Sequence, residues 1–258
     1  MPPTPGNVWT PAASAGPDLP DLSIVVPALN EEDNVGPLVQ EIDRTVRQAG
    51  IAVELILVDD GSTDQTLGRL KALKSGRPWL RLLHRDRPRG QSAAMFAGVQ
   101  AARGQFIATL DADLQNDPAD LTAMLRILRE QGVDMVQGDR SAARADTFKR
   151  KFTSWVGRTY RRIVLGDRIR DTGCSARVVR AGFYQQVPLQ FHGMHRFIPA
   201  YCARLGARIV EMPVHHRPRV AGVTKYGAFK RGLTGFFDGL AVRWMFRRYR
   251  DPSVREEV

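Results

Sequence analysis

Val53-Glu54-Leu55-Ile56-Leu57-Val58-Asp59-Asp60-Gly61-Ser62-Thr63-Asp64 changes character after Val58. Up to that residue it is an apolar, partly β-branched run of strand length. Beyond it come acids, a glycine and hydroxyl residues, the composition of a turn that opens a helix. The same change occurs twice more. Residues 23–26 run into Pro27-Ala28-Leu29-Asn30-Glu31-Glu32, and residues 106–110 run into Asp111-Ala112-Asp113-Leu114-Gln115. Residues 80–83 and 135–137 read as further strands, and 35–48, 66–73, 92–102 and 121–128 as the helices between them. This alternation specifies an α/β fold, a mostly parallel, Rossmann-like sheet with helices on both faces. In such open sheets ligands bind beyond the carboxyl ends of the strands, where the acid-rich segments lie.

Past Gly138 the alternation weakens. A basic amphipathic stretch over 149–165 leads into an irregular segment, a helix over 194–204 and a strand over 209–214, a half expected to shape the acceptor side. The 258 residues suffice for one good-sized core, and 43% apolar residues is an ordinary globular content. Residues 1–20, rich in Pro, Ala and Gly, read as a disordered lead, 21–227 as the catalytic unit, and 228–258 as an amphipathic helix and tail.

The formal net charge of +11 calls for anionic partners: nucleic acid, an anionic membrane or phosphorylated substrates. No helix-turn-helix, zinc-finger or RNA-recognition signature supports the first of these. Neither a phosphate-binding GxxxxGK[ST] nor a GxGxxG follows the first strand, so nucleotide hydrolysis and dinucleotide-dependent oxidation find no support. Cys174 and Cys202 are two lone thiols without metal or redox spacing. The first residues lack a signal peptide's pattern, and no run of eighteen apolar residues occurs, so a cytoplasmic location with peripheral membrane contact is expected.

Asp111 and Asp113 follow a buried strand, and Gln115 adds a neutral oxygen at the same two-residue step. Oxygen-only ligands suit Mg²⁺ or Mn²⁺ bridging a diphosphate. The competing reading is that Asp113 or Asp117 caps the helix after Pro118. At Asp59-Asp60 two adjacent acids exceed what one cap needs, and an acid there could accept a nucleobase imide N–H.

Taken together, Pro27 with Asn30-Glu31-Glu32, then Val58-Asp59-Asp60-Gly61-Ser62-Thr63-Asp64, then Leu110-Asp111-Ala112-Asp113-Leu114-Gln115 resemble glycosyltransferase family 2, whose members have the GT-A fold. Gly138-Asp139-Arg140, Lys149-Arg150-Lys151-Phe152, and Arg219 with Gly222-Val223-Thr224-Lys225-Tyr226-Gly227 narrow the resemblance to polyprenyl-phosphate sugar synthases of the dolichyl-phosphate mannosyltransferase type. Asp171-Thr172-Gly173-Cys174-Ser175 stands where such relatives carry a segment ending in Ser-Gly-Phe-Arg, and departs from it in detail.

The resemblance implies an inverting transfer of sugar from a UDP- or GDP-sugar to a polyprenyl phosphate. It implies that Pro27, Leu29, Glu31, Val58 and Asp60 hold the nucleoside, with Leu29 in place of the Tyr common in relatives. Asp111, Asp113 and Gln115 would hold the metal, Ala112 would line the donor site, and Arg140, Arg150, Arg219 and Lys225 would contact phosphates. Asp113 and Asp171 are the catalytic candidates, Asp171 for orienting the acceptor or taking a residual proton, with loop capping as its other reading. A phosphate acceptor, whose second pKa is about 6, needs little general-base help.

His192, His195, His215 and His216 lack zinc spacing and read as acceptor-phosphate contacts or packing. Phe229, Leu233, Phe236, Phe237, Leu240, Val242, Trp244 and Phe246 interleave with arginines, most of them on one broad helical stripe suited to an anionic membrane surface. The competing reading is a helix packed on the core. Many relatives continue from such a segment into transmembrane helices, so an integral membrane partner, or lipid alone, is expected to complete the site. Two other readings are a family member acting on a soluble hydroxyl acceptor and a non-catalytic binder of nucleic acid or anionic surfaces.

Overall fold

The computed structural model describes residues 19–141, 148–218 and 228–250, leaving aside the side chains of 148–154 and 228–233. Seven strands form one sheet: β1 (Leu22–Ala28), β2 (Val53–Asp59), β3 (Leu80–His84), β4 (Phe106–Thr109), β5 (Met135–Asp139), β6 (Arg177–Arg180) and β7 (Ile209–Pro213). Their spatial order is β3-β2-β1-β4-β6-β5-β7. β1 pairs in parallel with β2 and β4, β2 with β3, and β5 with β7, whereas β6 runs antiparallel to both β4 and β5. The expected mostly parallel sheet is present.

Eight helices accompany it among the described residues: α1 (Val35–Thr45), α2 (Thr66–Lys74), α3 (Gln91–Ala101), α4 (Ala119–Gln131), α5 (Phe148–Leu165), α6 (Ala181–Tyr184), α7 (Ile198–Arg204) and α8 (Ala228–Arg248). Ile24 and Val26 of β1 pack in one apolar cluster with Leu38 and Ile42 of α1 and Leu125 of α4. Val25, between them, packs in a second cluster with Met95 and Val99 of α3 and Ile198 of α7. A strand sends alternate side chains to opposite faces, so a central strand with apolar residues on both faces builds two cores, one on each side.

Three elements differ from the sequence reading. β6 lies in the segment read as irregular; its four residues, Arg-Val-Val-Arg, offer no alternation and it enters the sheet against the parallel direction. The helix read over 194–204 is a 3₁₀ turn at Met194–Phe197 followed by α7, whose first turn holds Pro199. The apolar stripe of α8 is divided rather than single. Val242 is buried and Met245 and Phe246 pack on the second core, with the Phe246 ring 4.8 Å from that of Tyr201. Phe236, Phe237, Leu240 and Trp244 face outward. One face of this helix therefore packs on the core, and the other carries exposed apolar side chains. Phe229 and Leu233 lie outside the described side chains, and no helix among the described residues is long and apolar enough to cross a membrane.

Candidate active site

Register places the ends of three strands side by side: Ala28 is opposite Asp59, and Asp59 opposite His84. The loops that follow β1 and β2 then lock together. Asn30, at a left-handed φ of 55°, donates its N–H to the Ser62 hydroxyl oxygen at 2.9 Å, and its side-chain oxygen accepts the Thr63 N–H at 2.9 Å. The Thr66 hydroxyl accepts the Glu31 N–H at 2.8 Å, and the Glu32 carboxylate accepts the Gln65 N–H at 3.0 Å. Hydrogen bonds between the two loops thus account for much of Asn30-Glu31-Glu32 and Ser62-Thr63-Asp64. Gly61, at φ 79°, has no room for a side chain: a Cβ would sit 2.6 Å from the Arg87 carbonyl carbon.

The two adjacent acids have separate duties. Asp59, fully buried, meets His84 Nδ1 at 2.8 Å. Asp60 accepts the backbone N–H groups of Arg89, at 3.1 Å, and Gly90, at 2.7 Å, and the Arg85 guanidinium at 3.3 Å. Asp60 therefore fastens the segment that opens α3. Pro27, Leu29 and Glu31 are partly buried beside this edge, and Val58 is fully buried.

α3 in turn reaches the third acidic segment, where the Gln91 amide donates to Asp111 Oδ1 at 2.8 Å. Leu114 adopts φ 60°, a conformation a γ-branched residue enters at a cost of order 1–3 kcal/mol, and the Gln115 N–H donates to Asp113 Oδ1 at 3.2 Å. Ala112 and Asp113 are buried. Burial and the neighbouring Asp113 charge raise the Asp111 pKa, while the Ser175 hydroxyl, Arg140 and Arg177 oppose them. Two carboxylates held close enough to raise proton affinity are relieved equally by a divalent cation, and the donors here are all oxygen. The residues present fit Mg²⁺ or Mn²⁺. Among the described residues no group of three or more His, Cys, Asp or Glu could hold a metal. The two carboxylates and the Gln115 amide oxygen would supply part of such an ion's oxygen ligands.

Across the site, Arg140 and Asp171 form a fork. Arg140 Nε meets Asp171 Oδ2 at 2.7 Å and Nη2 meets Oδ1 at 3.0 Å, with the side chains 11% and 12% exposed. Burial works against the Arg140 charge, but the bonds and charge of Asp171 outweigh it and its pKa is raised. Gly138 allows the close approach beneath them: a Cβ there would lie 2.7 Å from the Ala176 carbonyl oxygen. Asn116 completes the wall, its amide donating to Ser175 Oγ at 2.8 Å and its backbone bridging to His216.

The structure brings Asp111, Ala112, Asp113, Gln115, Arg140 and Asp171 to the region where β4, β5 and β6 meet. Arg150 lies on α5 with its side chain outside the described set, and Arg219 and Lys225 lie outside the described residues. The sequence reading missed Gln91, Asn116, Ser175 and Arg177. Arg177 is 2% exposed, with guanidinium bonds to the His195 and Cys174 carbonyls. It also missed Arg217, which pairs with both Glu41 and Asp117 and ties the segment after β7 to the first core.

His195 packs inside, its Nδ1 2.7 Å from the Ser92 hydroxyl. Burial, reinforced by Arg196, Arg177 and His192, pushes its pKa down to about 3 from the ordinary 6.5. The unfolded chain therefore binds a proton here that the folded chain refuses between those values. Stability is full above about pH 6.5 and falls as the pH drops toward 3. Urea unfolding at stepped pH is expected to show this loss, and His195→Gln to flatten it; equal slopes in both proteins would refute the assignment.

The model of glycosyl transferase family 2 matches residues 23–187, which hold all three acidic strand ends and the Arg140–Asp171 fork. Dodecaprenyl-phosphate galacturonate synthase from Rhizobium johnstonii is 42% identical over 89% of this chain and 68% of its own length. Undecaprenyl-phosphate 4-deoxy-4-formamido-L-arabinose transferase from Edwardsiella ictaluri is 31% identical over 81% of this chain and 64% of its own. The chain thus spans about two thirds of these relatives' length. Among solved structures, glucosyl-3-phosphoglycerate synthase from Mycobacterium tuberculosis, in complex with Mn²⁺, UDP and phosphoglyceric acid, superposes with a TM-score of 0.63 at 21% identity, covering 87% of this chain and 78% of that one. A mannosyltransferase from Pyrobaculum calidifontis bound to GDP-Man and Mn²⁺ gives 0.62 at 17% identity, over 91% and 66%. With the acids at the strand ends of a GT-A sheet and a matching model over most of its length, the chain is a glycosyltransferase and belongs to glycosyl transferase family 2.

Proposed function

We propose that this enzyme moves a sugar from a UDP- or GDP-sugar to a polyprenyl phosphate at the cytoplasmic face of a membrane, with Mg²⁺ or Mn²⁺ as cofactor. The names of the two similar curated proteins support the polyprenyl phosphate class. The observation that carries the acceptor reading is the Arg140–Asp171 fork. It engages both oxygens of the carboxylate proposed from sequence as a base and pairs them with a guanidinium. A sugar hydroxyl would need a proton acceptor there. A phosphate monoester, largely dianionic above its second pKa of about 6, does not.

Under this reading one acceptor phosphate oxygen forms a bond to the anomeric carbon while the bond to the nucleotide diphosphate breaks, with inversion. Pro27, Leu29, Glu31 and Val58 line the nucleoside pocket, and Asp60 shapes it through Arg89 and Gly90. Asp111, Asp113 and Gln115 hold the metal, which supplies Lewis-acid stabilisation of the departing diphosphate. Ala112 lines the donor sugar. Arg140, Arg150, Arg219 and Lys225 offset phosphate charge. Residues 21–227 form the catalytic unit and 228–258 a membrane-surface segment, with an integral membrane partner as a further component.

The test is transfer of radiolabelled sugar from a panel of UDP- and GDP-sugars to polyprenyl phosphate vesicles, with the metal supplied or chelated. Metal-dependent label in the organic phase is expected. Label appearing only in a water-soluble acceptor would overturn the lipid acceptor and leave the donor site standing.

A further inference from the structure

α5 and α8 form one surface. The Tyr160 hydroxyl donates to the Phe236 carbonyl at 2.5 Å, the two rings lie 5.0 Å apart, and the Arg243 guanidinium donates to the Val164 carbonyl at 2.6 Å. Gly239 permits the contact, since a Cβ there would sit 2.7 Å from the Tyr160 hydroxyl. Both packed helices carry exposed large apolar groups: Trp155 and Ile163 on α5, Phe237 and Trp244 on α8. Four such groups on one helix pair exceed the scattered single apolar residues that are normal on a surface facing water.

Beside it, α5 and the turn at 167–169 enclose a cavity of about 390 Å³. Trp155, Arg158, Thr159 and Arg162 line it at positions i, i+3, i+4 and i+7, one face of the helix, and Arg168 and Ile169 close it. Three arginines therefore line one cavity. The acid that also lines it is already committed: the Asp167 carboxylate, 2% exposed, takes Arg161 Nε at 3.2 Å and the Ile169 N–H at 2.9 Å. Arg158, Arg162 and Arg168 form no ion pair among the described residues. Three unneutralised cations around a Trp, next to an apolar surface, complement an anion attached to hydrocarbon.

We propose that this cavity binds the phosphodiester headgroup of an anionic glycerophospholipid, seating the α5–α8 surface at the membrane. The proposal rests on the membrane reading above and gives it a site on the catalytic unit, apart from the carboxyl-terminal segment. The guanidiniums bind the phosphate, and Trp155 lies at the headgroup level with the apolar groups below it.

Arg162 and Arg168 are exposed, so replacing them leaves the fold intact. Flotation of the full chain with phosphatidylcholine vesicles, with and without phosphatidylglycerol, reads the site. The parent is expected to bind phosphatidylglycerol vesicles, and Arg162→Gln/Arg168→Gln to weaken this by roughly thirtyfold, about 2 kcal/mol for two basic residues at the surface. Lys71→Gln/Lys74→Gln removes the same charge from α2 and is expected to change binding less than threefold. Equal losses in the two double variants would mean diffuse attraction and overturn the site. Binding that ignores phosphatidylglycerol, or self-association that hides the face, would overturn it too. Transfer to a short-chain, water-soluble polyprenyl phosphate is read in parallel. Its retention in the Arg162/Arg168 variant is expected, and its absence in the parent protein would sink the acceptor assignment independently of the vesicle result.

Discussion

Asp113→Asn is expected to lower metal-dependent sugar transfer by about a thousandfold or more while leaving the urea midpoint of unfolding nearly unchanged. The side chain is buried in the loop after β4 with a neighbour of like charge, Asp111, whose pKa burial and then this proximity raise. Removing one negative charge relieves that repulsion, so the fold gains rather than loses electrostatically. Asn keeps the shape and can still accept the Gln115 N–H. What disappears is half of the anionic charge facing a divalent cation. The Lewis-acid contribution at stake is several kcal/mol, and each 1.36 kcal/mol is a factor of ten in rate. Binding of Mn²⁺ in the presence of UDP, followed by the paramagnetic signal of the free ion, gives a readout separate from turnover. A variant that retains both Mn²⁺ affinity and rate would remove Asp113 from the metal site and leave the capping reading of this segment.

The parts of the fold legible in the sequence are those with local causes. β1, β2 and β4 are mainly apolar runs, interrupted by Ser23, Glu54 and Thr109 and followed by acids, and register alone brings their ends together. The acids proposed for the metal could be named because they sit two residues apart on one turn. β6 could not, because four residues with Arg at both ends carry no period, and its place between β4 and β5 depends on pairing across many residues. Partnerships were equally hidden. Arg140 and Asp171 were each legible as site residues, but not as one unit across 31 positions. Gln91 looked like an ordinary helix residue until α3 brought it to Asp111. Asp60 was expected to help hold the nucleoside; that it also accepts the Arg89 and Gly90 N–H groups and fastens the start of α3 is a use that no local spacing announces.

The Arg140–Asp171 fork yields the second large effect, in stability rather than rate. Asp171→Asn leaves a guanidinium, nearly nine-tenths buried, without its countercharge, and breaking a buried pair from one side costs about 3–5 kcal/mol. Removing both charges, as in Arg140→Gln/Asp171→Asn, restores part of that loss, because no desolvated ion remains. A double-mutant cycle in urea therefore yields a coupling of order 1–3 kcal/mol for residues in one network. Asp171→Glu keeps the charge and is expected to fall between parent and Asn. The same variants decide whether Asp171 is a base. If it positions Arg140, the folded Asp171→Asn protein, assayed well below its unfolding temperature, shows a higher KM for the acceptor and a pH–rate profile of unchanged shape. If it removes a proton, kcat falls by the 10²–10⁴ typical of general-base catalysis and the acidic limb of the profile disappears, with no special rise in KM. The fork predicts the first pattern, since a carboxylate that gives both oxygens to one guanidinium resists protonation, and an ionised phosphate nucleophile supplies no proton for it to take.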